Sequence, residues 1–104
     1  MVLRQRKSSD VILFNRKTIK ALQPKDTRYR VWDSEVRGLF VLVFPSGVKS
    51  YFLRYRFKND STLKTQELSL GSVNTYDEPN DIRRIARDKL ILVDKGLNPK
   101  VMDT

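Results

Sequence analysis

Polar and apolar residues alternate almost without a break in YFLRYRFK, Tyr51 to Lys58. Successive strand side chains point to opposite faces. Tyr51, Leu53, Tyr55 and Phe57 therefore share one side, and Phe52, Arg54, Arg56 and Lys58 the other. Upstream, LFVLVF (Leu39 to Phe44) is a second β-rich run. Pro45-Ser46-Gly47 separates the two, a turn tripeptide with φ preset by Pro and freed by Gly. The pattern predicts a β-hairpin. KNDST makes a further turn, and LKTQELSLG returns as a strand ending at Gly71. Tyr29 to Trp32 predicts a short strand, followed by a turn over Asp33 to Gly38.

The period then changes. In NDIRRIARDKLILVDKGLNP, Ile82, Ile85, Ala86, Lys89, Leu90 and Val93 recur at helical spacing. Asn80 or Asp77 is a candidate N-cap, and Gly96 and Pro99 are stop signals. A shorter helix is expected after Asn15, ended by Pro24, with Ile19 and Leu22 as its buried side. Neither a single helix nor a single sheet buries its own apolar face, so the two pack together. The predicted fold is α+β: a small antiparallel β-sheet of three to four strands, a C-terminal α-helix packed on one face, and a short N-terminal helix.

Alternation assigns the faces. Leu39, Val41, Val43, Tyr51, Leu53, Tyr55, Phe57, Leu68 and Leu70 point to the helix. The outer face carries Arg54, Arg56 and Lys58, with Thr65, Glu67 and Ser69 from the neighbouring strand. It also carries Phe40, Leu42, Phe44 and Phe52, an apolar patch that calls for a partner or a cover. The segment Val11 to Phe14 is one candidate cover.

Charge sharpens the question of what that face is for. Residues 1 to 60 hold 14 Lys+Arg against 5 Asp+Glu; residues 61 to 104 hold 7 against 7. The whole net charge of +9 thus falls in the N-terminal part, which favours a polyanionic partner. With no cysteine or histidine in 104 residues, disulfides, thiolate metal sites and the commonest general base are excluded. No nucleotide-binding glycine motif or metal-ligand set appears, so no cofactor is expected and catalysis has no support. No apolar run approaches the roughly 18 to 20 residues of a membrane span, so no membrane partner and a cytoplasmic location are expected.

WDSEVRGLFVLVFPSGVKSYFLRYRF followed by LSLG resembles the N-terminal arm-type DNA-binding domain of phage and genomic-island integrases of the tyrosine recombinase family. The matching pieces are Asp33, Gly38-Leu39, Val41, Val43, Pro45-Ser46-Gly47, Lys49, Tyr55-Arg56 and Leu70-Gly71. Ile19-Lys20-Ala21-Leu22 with Pro24 matches the family's opening, and Gly96-Leu97-Asn98-Pro99 its ending. The resemblance implies a sheet docked in the major groove of arm-type sites during integration and recombination. It also implies that catalysis belongs to a separate domain, so that this chain is a non-catalytic fragment. The expected organisation is a mobile basic arm over 1–13, the arm-type domain over 14–99, and the start of a linker over 100–104.

The expected DNA-binding residues are Arg54 and Arg56, suited to guanine, with Lys58 beside them. Lys49 and Lys64 at hairpin ends are candidate backbone contacts, as are Arg28, Arg30 and Arg37 on the first strand and its turn. Thr65 and Ser69 complete the face. Glu67 is expected to pair with Arg54 or Arg56, or to accept from a cytosine amino group. Arg4, Arg6 and Lys7 suit a minor groove. Arg83, Arg84 and Arg87, interspersed with Asp81 and Asp88, read as a solvated helix face, and Asp33 as a turn residue. The competing reading is a protein-interaction module whose apolar outer face contacts integrase subunits or accessory proteins. A third, a double-stranded RNA binder, predicts indifference to sequence.

Overall fold

The computed structural model describes residues 11–59, 62–76 and 78–99, with the side chains of 58, 59, 62 and 63 left undescribed. Asp77, the residues of the expected arm up to 10, and 100–104 lie outside the described residues, as does the Lys58 side chain.

β1 (Val11–Ile12) leads into α1 (Arg16–Lys20). Asn15 caps that single turn reciprocally: its side chain accepts from the Thr18 N–H at 2.8 Å, and Thr18 Oγ1 accepts from the Asn15 N–H at 2.9 Å. β2 (Tyr29–Asp33), β3 (Leu39–Val43), β4 (Lys49–Asn59) and β5 (Thr62–Ser72) follow, and α2 (Pro79–Asp94) closes the fold. The predicted hairpin joins β3 to β4, with Gly47 at φ +96° in its turn.

The sheet has five strands in the order β1-β2-β3-β4-β5, not three to four. It is mixed rather than antiparallel, because β1 runs parallel to β2, Val11 beside Trp32 and Ile12 beside Asp33. Two residues are too few to show alternation, which is why the sequence concealed this strand. Val11 to Phe14 consequently extends the sheet edge instead of lying over the outer face. Phe14 turns inward, 1% exposed and 6.0 Å from the Tyr51 ring, while Val11 and Leu13 stay exposed.

α2 lies on the predicted face. Ile82 and Ala86 are fully buried in one cluster with Leu39, Val41, Tyr51 and Leu53. Each large side chain so buried stabilises the fold by roughly 1.5–3 kcal/mol. A bulge between Tyr51 and Phe52 pairs Tyr51 with Gly71 but Phe52 with Ser69, leaving Leu70 as the extra residue. α2 ends as predicted: Gly96 at φ +83° lets the Leu97 N–H reach the Leu92 carbonyl at 2.9 Å and its own N–H reach that of Val93 at 2.9 Å. Its start differs. The N-cap is Glu78, without a side-chain cap, and Asn80 instead accepts from Arg83 Nη1 at 2.9 Å.

Arg83 is the largest departure from the sequence reading. It is buried, not solvated: Nε donates to Asp33 Oδ2 at 2.8 Å and Nη2 to Asp33 Oδ1 at 2.9 Å. Nη2 also donates to the Phe14 carbonyl at 2.8 Å. Asp33 further accepts from the Phe14 and Val36 N–H groups. β1, β2, the Asp33–Gly38 turn and α2 are locked together through this one pair.

Candidate nucleic-acid interface

The strand register sorts the outer face into transverse rows. Arg30, Leu42 and Ser50 lie across from one another on β2, β3 and β4. The next row is Val11, Trp32, Phe40, Phe52 and Ser69. Then come Arg54 beside Glu67, Arg56 beside Thr65, and Lys58 beside Leu63. Strand β3 pairs with β4 only as far as Leu53. From Arg54 onward the face is therefore a two-stranded ribbon of β4 and β5.

Gly38 fixes where that ribbon begins. Its carbonyl accepts the Arg54 N–H at 2.7 Å, and at φ +92° it adopts a conformation other residues resist. A Cβ there would collide with the Arg54 carbonyl oxygen. On the helix side, Tyr55 is buried and its hydroxyl donates to Asn98 Oδ1 at 2.6 Å. The ribbon's outer cations thus stand on a packed support.

Arg54 and Arg56 are exposed on one face, and neither makes an ion pair or side-chain hydrogen bond with any described residue. Arg37, also exposed, lines a groove of about 770 Å³ with both, together with Tyr55 and, from α2, Leu90, Val93 and Asp94. Thr65 and Ser69 are exposed on β5, opposite Arg56 and Phe52. Arg28 is exposed just before β2.

Glu67 pairs with neither expected partner. Arg30 Nη2 reaches it at 3.3 Å, with the Arg30 guanidinium carbon 5.3 Å from the Phe40 ring centroid. Arg30 is exposed and Glu67 partly so, and that contact is worth at most about 1 kcal/mol. Lys49 and Lys64 fall on the opposite, helix-side face. Lys49 Nζ donates to the Ile19 carbonyl at 3.0 Å, completing the end of α1. Lys64, opposite Phe57, is exposed.

Burial alone would raise the Asp33 carboxyl. The Arg83 hydrogen bonds, with those from Phe14 and Val36, outweigh it and hold the group below its ordinary value. Arg83 is raised in turn, chiefly by its hydrogen bond to Asp33. Sequence reasoning missed this pair; it placed Phe40 and Phe52 on the outer face but not Trp32 beside them. The alternation of Trp32 with Val31 and Asp33 in the short strand was the available signal for Trp32.

The sequence matches the profile of the Arm DNA-binding domain over residues 14–103. The chain belongs to the arm DNA-binding domain family. This family is a DNA-binding, non-catalytic module. The arm domain described here is 36% identical over 83 residues to prophage integrase IntZ of Escherichia coli (strain K12). That match covers 80% of this chain and 19% of the integrase. No solved structure matches.

Proposed function

We propose that this arm domain binds double-stranded arm-type sites by inserting the β4–β5 ribbon, outer face first, into the major groove. The observation that carries the reading is the exposed pair Arg54 and Arg56 on the outer strand face, neither with an ion-pair partner among the described residues. The major groove admits a two-stranded ribbon, and an arginine fork matches guanine O6 and N7. Arg37 and Arg28 flank that face and suit phosphates, which set register without reading sequence. Thr65 and Ser69 add short hydrogen-bonding groups, and Lys58 follows Arg56 by register. Binding would position a larger integrase on arm sites in the cytoplasm during integration and recombination. Lys64 would contact the backbone only from the helix-side rim of the ribbon. Lys49, engaged with α1, is left out of the interface.

The test is amide chemical-shift mapping of the isotope-labelled chain against a duplex carrying arm-type repeats. The largest changes should fall at Arg54, Arg56, Thr65 and Ser69. Changes concentrated on α2, at Arg84, Arg87 and Lys95, would overturn the reading.

A further inference from the structure

One apolar row crosses the middle of the outer face. Trp32 and Phe40 have ring centroids 4.7 Å apart, and Phe40 and Phe52 stack at 5.5 Å with 12° between their planes. Phe40, at the centre, is 1% exposed. Its neighbours are not closed in: Trp32 and Phe52 remain half-buried, and Val11 at the end of the row is exposed. The row therefore does two things. It builds a small packed cluster around Phe40, and it leaves Phe52 and Trp32 partly open to whatever meets the sheet.

What meets it is constrained by charge. Phe52 is two residues from Arg54, and Arg30 crosses Phe40 from the other side. Glu67 is the single acid among the described outward-facing strand residues, and Asp94 of α2 lines the groove beside Arg54 and Arg56. A second copy of this chain, net +9, would bring the same cations against one another. An anionic surface with apolar points satisfies both features. The major groove is such a surface, since thymine projects its C5-methyl into it.

We propose that Phe52, with Trp32 beside it, is a thymine-methyl contact, so that the face reads A·T pairs by apolar contact next to guanines held by Arg54 and Arg56. This rests on the ribbon docking in the major groove. A phenyl ring makes no hydrogen bond to a base edge, so it selects the methyl by burying it. Residues two apart on a strand are separated by about 6.6 Å. That is close to two base steps of about 3.4 Å. With β4 lying along the groove, the thymine falls about two steps from the guanine at Arg54.

The experiment uses fluorescence anisotropy with duplexes that the 104-residue chain enriches from a randomised pool. Each thymine is replaced in turn by uracil, which pairs identically but lacks the methyl. At one or two positions the substitution should weaken binding roughly three- to fivefold, the worth of one buried methyl-sized group. Phe52→Ser should bind the thymine and uracil duplexes equally, and circular dichroism would report whether that variant folds. The uracil scan on the unaltered chain needs no variant. If no uracil position matters while Arg54→Ala still erases discrimination, the methyl contact is wrong and the major-groove reading stands. If no sequence is enriched at all, both fall. Concentration-dependent self-association that Phe52→Ser abolishes would assign the row to a second copy and overturn the proposal.

Discussion

The Arg83 guanidinium embraces the Asp33 carboxylate through two bonds of 2.8 and 2.9 Å, across 50 residues of sequence and inside the fold. Removing one partner leaves the other buried and uncompensated. Arg83→Ala or Asp33→Ala should each cost about 3–5 kcal/mol in urea denaturation. Arg83→Met combined with Asp33→Asn should cost clearly less than the sum, because no charge is left stranded. Equal and additive losses would show that the pair is not coupled.

The same pair sets an acid sensitivity. Asp33 is held below its ordinary value in the folded state, so its contribution is complete above the unfolded carboxylate range. It is lost as pH falls through the lower, folded value. The fold should therefore destabilise progressively below about pH 4. Asp33→Asn should flatten that limb of the stability curve while lowering stability at neutral pH. An unchanged acid slope in the variant would contradict the assignment.

Gly38→Ala should act on stability and binding together. The added methyl would collide with the Arg54 carbonyl oxygen, and the backbone sits at φ +92°. A loss of about 1–3 kcal/mol is expected, together with weaker DNA binding, because Arg54 begins the ribbon there. Gly47→Ala meets no neighbouring atom, so strain at φ +96° is its only expected cost. Comparing the two by thermal melting and DNA titration separates strain from collision.

Lys49→Met should cost about 0.5–1.5 kcal/mol of stability through its lost bonds to the end of α1. It should leave the salt dependence of DNA binding unchanged. A salt slope reduced by about one would instead make Lys49 a phosphate contact.

The sheet and its facing helix were legible because alternation over β3 to β5 is nearly unbroken and then gives way to a helical period. The outer position of Arg54 and Arg56 followed from the same parity. β1 was not legible, since a two-residue strand has no period to read. Arg83 was hidden by its chemistry rather than its place: it lies four residues after Pro79 and three before Ala86, squarely on the buried stripe. Charge argued for solvent, and only the buried Asp33 across the fold reverses that. Lys49 shares the parity of Tyr51 and Leu53, which already placed it on the helix side. The Arg30–Glu67 contact spans 37 residues and depends on how the sheet brings β2 and β5 together, which no local pattern encodes.

The central claim is that the Arg54/Arg56 face reads base sequence. Its most direct test is anisotropy of the unaltered chain and of Arg54→Ala and Arg56→Ala with an arm-repeat duplex and its scrambled counterpart, across a salt series. Each substitution should reduce discrimination between the two duplexes by about 1–3 kcal/mol and affect scrambled DNA little beyond its lost charge. Equal weakening on both duplexes would mean that these arginines only hold the phosphate backbone.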